Sequence, residues 1–346
     1  MTHFMPMNAN FANFTQTSLY EVISAPKVPQ SVADIMPDKT DDFGSAFLEL
    51  LKNIVQKLQP ELAENCRLCL AIVACAMLFS LLNSVSPKVK RISAAAGAFL
   101  ISSLLVTDAR FMVLLASDTI VRLSDYGKLL FPVMTTAMAA QGGITASAAL
   151  YAGTAAFDSI LCGILSKLLV PMVYMFLALA IGNSATGEDY LKHFQDLLKS
   201  IIGWSLKLLL TVFTTYMSIT GVVSGATDAA ALKATKVTIS TVVPVVGGIL
   251  SDASEAVLVG AGLMKNAAGI YGIIAIWALF AEPFLKIGAY YLVLKISTAV
   301  CGVFASKDIA GLIESFGTAM GLLLAMTGTV CMLLMVSAIC FLKGVG

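Results

Sequence analysis

The chain has 346 residues, 58% of them apolar and only 12% charged, with a formal net charge of +1 at neutral pH. A soluble domain has about a quarter of its residues charged, so this much apolar side chain needs a solvent other than water, and the balanced charge gives no footing for a nucleic-acid partner. Four uncharged runs, Leu68–Pro87, Leu168–Gly187, Leu208–Thr227 and Ser315–Leu342, reach the roughly 20 residues that a helix needs to cross hydrocarbon.

Residues 1–65 form a polar amino-terminal region. No apolar leader follows a basic start in its first 40 residues, which read as loosely attached chain. One amphipathic helix is expected at about 45–59. Phe47, Leu50, Leu51, Ile54, Val55 and Leu58 fall on one helical face, Asp41 or Asp42 precedes it, and Pro60 follows it. That helix either packs on the rest of the protein or lies in the membrane interface.

Residues 66–346 read as a multispanning membrane domain. The first span covers about 66–86, and Lys88, Lys90 and Arg91 after it mark a cytoplasmic side. A second span starts at Ile92 and meets Asp108 and Arg110. Residues 117–128 look interfacial. Leu129–Phe157 is uncharged for 29 residues but holds a weak point at Gln141-Gly142-Gly143. Asp158 and Lys167 flank a short apolar piece, and Leu168–Gly187 spans. Residues 188–200 read as a surface helix between spans, with Leu191, Phe194, Leu197 and Leu198 on one stripe and Glu188 four residues before Lys192. Ile201–Ser224 spans next, and Lys207 can snorkel to the interface. Two apolar runs, Asn266–Ala281 and Ile287–Phe304, are joined through Glu282-Pro283-Phe284-Leu285-Lys286. Two readings of that joint stand side by side: a short surface turn, or a charge pair inside the bundle. The last span is 315–342. The fold expected is an all-α polytopic membrane protein with about six to eight transmembrane helices and broken or re-entrant segments near 131–144 and 237–265.

Several chemistries lack their residues. There is no HExxH zinc site, no GxxxxGK[ST] phosphate loop and no GxSxG nucleophile elbow. Intramembrane aspartates are few and isolated, so a carboxylate pair for acid–base work is not evident. Six of the seven cysteines lie in or at the edge of apolar runs, where Cys behaves as a small hydrophobe. Cys66 and Cys69 have redox spacing but open a membrane helix. The chain is not expected to be an enzyme, and no cofactor or metal is called for.

The stretch Ser224–Gly269 departs from the rest. Lys233 and Lys236 precede an uncharged run, Val237–Ser251, of only 15 residues. Pro244 removes a helical hydrogen bond, and Gly247-Gly248 permits backbone angles closed to other residues. Asp252 and Glu255 follow, and a second short run ends at Lys265-Asn266. Neither half spans alone, and non-helical backbone at membrane depth must face protein or a cavity. Phe131–Ile144 carries a looser echo, a proline followed by Gly142-Gly143. Corresponding breaks in two halves point to a site at a repeat interface; close packing through small residues is the plainer alternative. The candidate functional positions are Pro244, Gly247, Gly248 and Asp252, then Lys236, Lys265 and Asn266, then Gly142 and Gly143, with Glu282 and Lys286 as a candidate intramembrane ion pair.

Residues 228–269 resemble the stage III sporulation protein AE family. The matching elements are Leu232-Lys233-Ala234-Thr235-Lys236, Val243-Pro244-Val245-Val246-Gly247, Ser251-Asp252-Ala253, and Lys265-Asn266 with Gly269. The likeness continues more weakly from about residue 66 to the end. Lys233 stands where the family tends to have arginine. The resemblance implies a multi-pass subunit of the mother-cell membrane, in a sporulation-specific channel or secretion-like complex that faces the forespore. It implies partners that include a separate ATPase subunit, and a requirement in forespore development. A homo-oligomer is compatible with it. Two other functions fit the residues: a self-contained ion-coupled secondary transporter, and a non-conducting membrane scaffold.

Overall fold

The computed structural model describes residues 64–81, 87–140, 144–186, 189–242 and 247–343, together with Lys52, Asn53 and Gln56. Over 87–94 and 221–271 the description is of backbone alone. The amphipathic helix expected at 45–59 lies almost wholly outside these residues.

The described residues are helical, with no β-strand among them. The elements are α1 (Glu64–Leu81), α2 (Pro87–Ala140), α3 (Ile144–Ile164), α4 (Val170–Thr186), α5 (Asp189–Val242), α6 (Gly247–Phe304) and α7 (Lys307–Lys343). A π-helical turn, Leu165–Leu169, joins α3 to α4, and in it the Val170 N–H donates to the Leu165 carbonyl. The described residues thus make six rods. Each carries a stretch long and apolar enough to cross a membrane: Glu64–Leu81, Ala95–Ala139, Ser147–Thr186, Leu191–Met217, Gly272–Phe304 and Lys307–Leu342.

Two expected breaks coincide with helix ends. α2 runs through Pro132 to Ala140 and α3 starts at Ile144; α5 ends at Val242 and α6 starts at Gly247. The pieces on either side are not short helices, however. Val237–Val242 completes a helix of 54 residues, and Gly247–Lys265 opens one of 58.

Three expected connections are corrected. Residues 117–128 are the middle of α2. Asp118 and Arg122 pair at 2.6 Å and Asp125 and Lys128 at 2.9 Å on its outer face, while Thr119, Ile120, Leu123 and Ser124 are buried behind them. Charges that pair along one face leave the helix intact. Likewise 188–200 is no separate surface helix, because α5 runs unbroken from Asp189. The joint at 282–286 is not a turn, because α6 passes straight through Pro283.

α7 is the centre of the bundle. It packs against α6, α2, α4 and α5, and 61% of its most apolar 18-residue stretch is buried, against 11% for that of α1 and 17% for that of α5. Its hydroxyls suit an apolar setting because each turns back on its own helix: Thr327 donates to the Leu323 carbonyl, Thr329 to Ala325 and Ser337 to Leu333. The helix ends are tied across the bundle. Ser80 Oγ of α1 donates to the Phe304 carbonyl at the end of α6, and Ser184 Oγ of α4 donates to the Asp308 carbonyl at the start of α7. The first satisfies a carbonyl that the end of α6 leaves without a helical partner.

Candidate functional site

Of the sequence-derived positions, Gly142, Gly143 and Pro244 lie outside the described residues. Lys236 falls in the last two turns of α5. Gly247, Gly248, Asp252, Lys265 and Asn266 fall in the first half of α6, where the side chains lie outside the description. The flanks of the 243–246 stretch therefore belong to two long helices, one ending at Val242 and the other starting at Gly247.

The structure does bring Glu282 and Lys286 together. Lys286 Nζ lies 3.2 Å from Glu282 Oε1, and the two side chains are only 18% and 15% exposed. They occupy successive turns of α6, with Glu282 toward the amino terminus, the better order for an i,i+4 pair. Pro283 lies between them. Proline inside a membrane helix is tolerated where neighbours compensate for the missing bond. The flanking turns are firmly packed, with Leu279, Phe280, Ala281 and Ile287 buried. The rings of Trp277 and Phe280 lie 5.8 Å apart, and those of Phe280 and Phe284 4.6 Å. One turn past the pair, Tyr290 is fully buried, and its hydroxyl has no hydrogen-bond partner among the described residues. α6 is continuous through this joint, with the two charges in contact and mostly buried.

A second polar site joins α2 to α3, and the sequence reading missed it. Asp158 is 4% exposed. Ser124 Oγ donates to its Oδ2 at 2.6 Å. The signal was present in the periodicity: Leu150, Thr154, Asp158, Leu161 and Leu165 share one helical face, and all are buried. An aspartate in that series had to point inward. Beside it on α2, Lys128 is held by Asp125 at the surface.

The α2–α6 and α3–α5 seams depend on small residues. A Cβ at Gly272 would stand 2.7 Å from Leu130 Cδ2, and a Cβ at Gly153 would stand 2.7 Å from Tyr216 Cζ. Small residues at such crossings let backbones approach closely. No group of metal-ligating side chains occurs among the described residues.

These elements define a polytopic helical membrane protein that folds ionisable side chains into its spans. Residues 30–344 match the family model for Stage III sporulation protein AE, and the chain belongs to that family. It is 25% identical over 186 residues to the Stage III sporulation protein AE of Bacillus subtilis (strain 168). That alignment takes in 54% of this chain and 46% of the relative, about half of its length. No solved structure matches the chain.

Proposed function

We propose that this chain is a membrane subunit of a sporulation-specific, secretion-like channel complex between mother cell and forespore. It would sit in the mother-cell membrane, work with other subunits that include a separate ATPase, and be required for forespore development. The observation that carries this reading is family membership across residues 30–344. The polytopic fold supports it, as does the position of the signature where α5 ends and α6 begins. In this reading the signature lines or gates a passage, or docks a neighbouring subunit, and the chain performs no catalysis.

A second reading, a self-contained ion-coupled transporter, draws on the Glu282–Lys286 pair, because ionisable groups inside membrane segments mark ion pathways more often than not. Transport by the purified protein alone in liposomes would favour it over the subunit reading.

The test of the first reading is cysteine accessibility along Val237–Lys265. Single cysteines are placed in a background without the seven native ones and labelled in membranes with a charged maleimide. Labelling deep in Val243–Ser251 is the expected result and means that water reaches the Gly247-Gly248 segment. Uniform protection there would give the lead to a non-conducting scaffold.

A further inference from the structure

The Asp158 carboxyl is the most deeply buried acidic group described. Ser124 satisfies its Oδ2. Its Oδ1 is out of contact with solvent and has no hydrogen-bond partner among the described residues. An ionised carboxylate has about four acceptor sites to fill, and leaving most of them empty in an apolar setting is costly.

A counter-charge is close, but it is engaged elsewhere. The charged groups that act on Asp158 are Lys128 and Asp125, both on α2. Lys128 Nζ is bonded to Asp125 Oδ1 at 2.9 Å, and the two side chains are 59% and 58% exposed. Cys162, one turn along α3, is also within the field of Lys128. The Asp125–Lys128 pair thus borders the surface, and Asp158 with Ser124 lies on the buried side of the same helix pair. Exposed lysine–carboxylate pairs are weak, so Lys128 is free to change partner.

We propose that Asp158 and Ser124 form a proton-binding site between α2 and α3. With the proton bound, Asp158 is neutral and Lys128 stays with Asp125, the pairing the structure holds. When the proton leaves, the ionised Asp158 takes Lys128 from Asp125, which links proton occupancy to the α2–α3 seam. The inference stands on this geometry and does not depend on the channel reading.

The test uses the full chain in lipid nanodiscs and two readouts. The first is labelling by a hydrophobic carbodiimide, which attacks protonated carboxyls in apolar surroundings, read by peptide mass spectrometry across a pH series. Asp158 is expected to be labelled at neutral pH and lose labelling as pH rises, while exposed Asp118 and Asp125 stay unlabelled. Lys128→Met removes the counter-charge of the ionised form, so labelling should persist to higher pH. The second readout is the infrared difference between wild type and Asp158→Asn, a variant that keeps an acceptor for Ser124. A neutral-carboxyl stretch at pH 7 that is present in the wild type and lost in the variant is the expected result. Its absence shows a permanently ionised carboxylate and overturns the proposal, whatever the carbodiimide does. Suppression of labelling by sodium ions at constant pH would also overturn it, in favour of a sodium ligand.

Discussion

Glu282 and Lys286 contact each other across one turn of α6, with Pro283 lying between them. Removing one partner leaves the other charge uncompensated inside the bundle. For fully buried pairs that costs about 3–5 kcal/mol. Some exposure remains here, so about 2 kcal/mol is the expected loss. Glu282→Gln or Lys286→Met alone should lower the melting temperature in detergent, and the double variant should recover most of it. A double variant no better than the worse single one would show that the two charges do not depend on each other. At this scale the sequence was partly legible. The i,i+4 spacing of Glu282 and Lys286 was visible, but whether Pro283 ends a helix depends on the packing of Phe280, Ala281 and Ile287 around it, which no local pattern carries. Asp158 was the reverse case. Its helical register was readable, yet a lone acidic residue at the edge of an apolar run reads first as the end of that run.

α3 and α5 meet through an aromatic side chain laid across a glycine. Tyr216 of α5 lies over Gly153 of α3, its ring 5.7 Å from that of Phe157, and its hydroxyl donates to the Ala149 carbonyl at 3.4 Å. A methyl group at 153 would meet the ring itself. Gly153→Val should therefore cost about 1–3 kcal/mol, the range of overpacking in a filled core. Tyr216→Ala in the same chain should relieve part of that cost, so the paired changes should fall short of additivity in a thermal-melting cycle. Strict additivity would place the strain elsewhere. The existence of the helices was the most legible feature of this chain, because long uncharged runs leave few alternatives. Their joints were not. Residues 117–128, 188–200 and 282–286 each looked like a connection because they carry charge. In each place the helix persists because the charged face is turned outward or paired while the opposite face, Leu123 and Ser124 in the first case and Gln195 in the second, is buried.

The rods are longer than a membrane is thick. α2 and α5 have 54 residues each and α6 has 58, or about 80–87 Å at 1.5 Å per residue, against about 30 Å of hydrocarbon. Tilt absorbs only part of such an excess. Phe99 and Thr136 are both exposed on α2 and stand about 55 Å apart along it. Nitroxide labels at these two positions cannot both report hydrocarbon, so at least one should show water-like accessibility in nanodiscs. Two lipid-like signals would mean that α2 is sharply bent in the bilayer. The bundle is held along this length by α7, which packs against both α2 and α6 and meets Gly127 through Leu334 and Phe131 through Phe341. The chain makes that central helix after the other five rods. During synthesis α2, α4 and α6 therefore enter the bilayer with only lipid against the faces that later receive α7. Insertion and folding are thus separate events for this protein. A nascent chain stalled before Lys307 is a set of correctly placed helices without a centre, a natural substrate for membrane proteases.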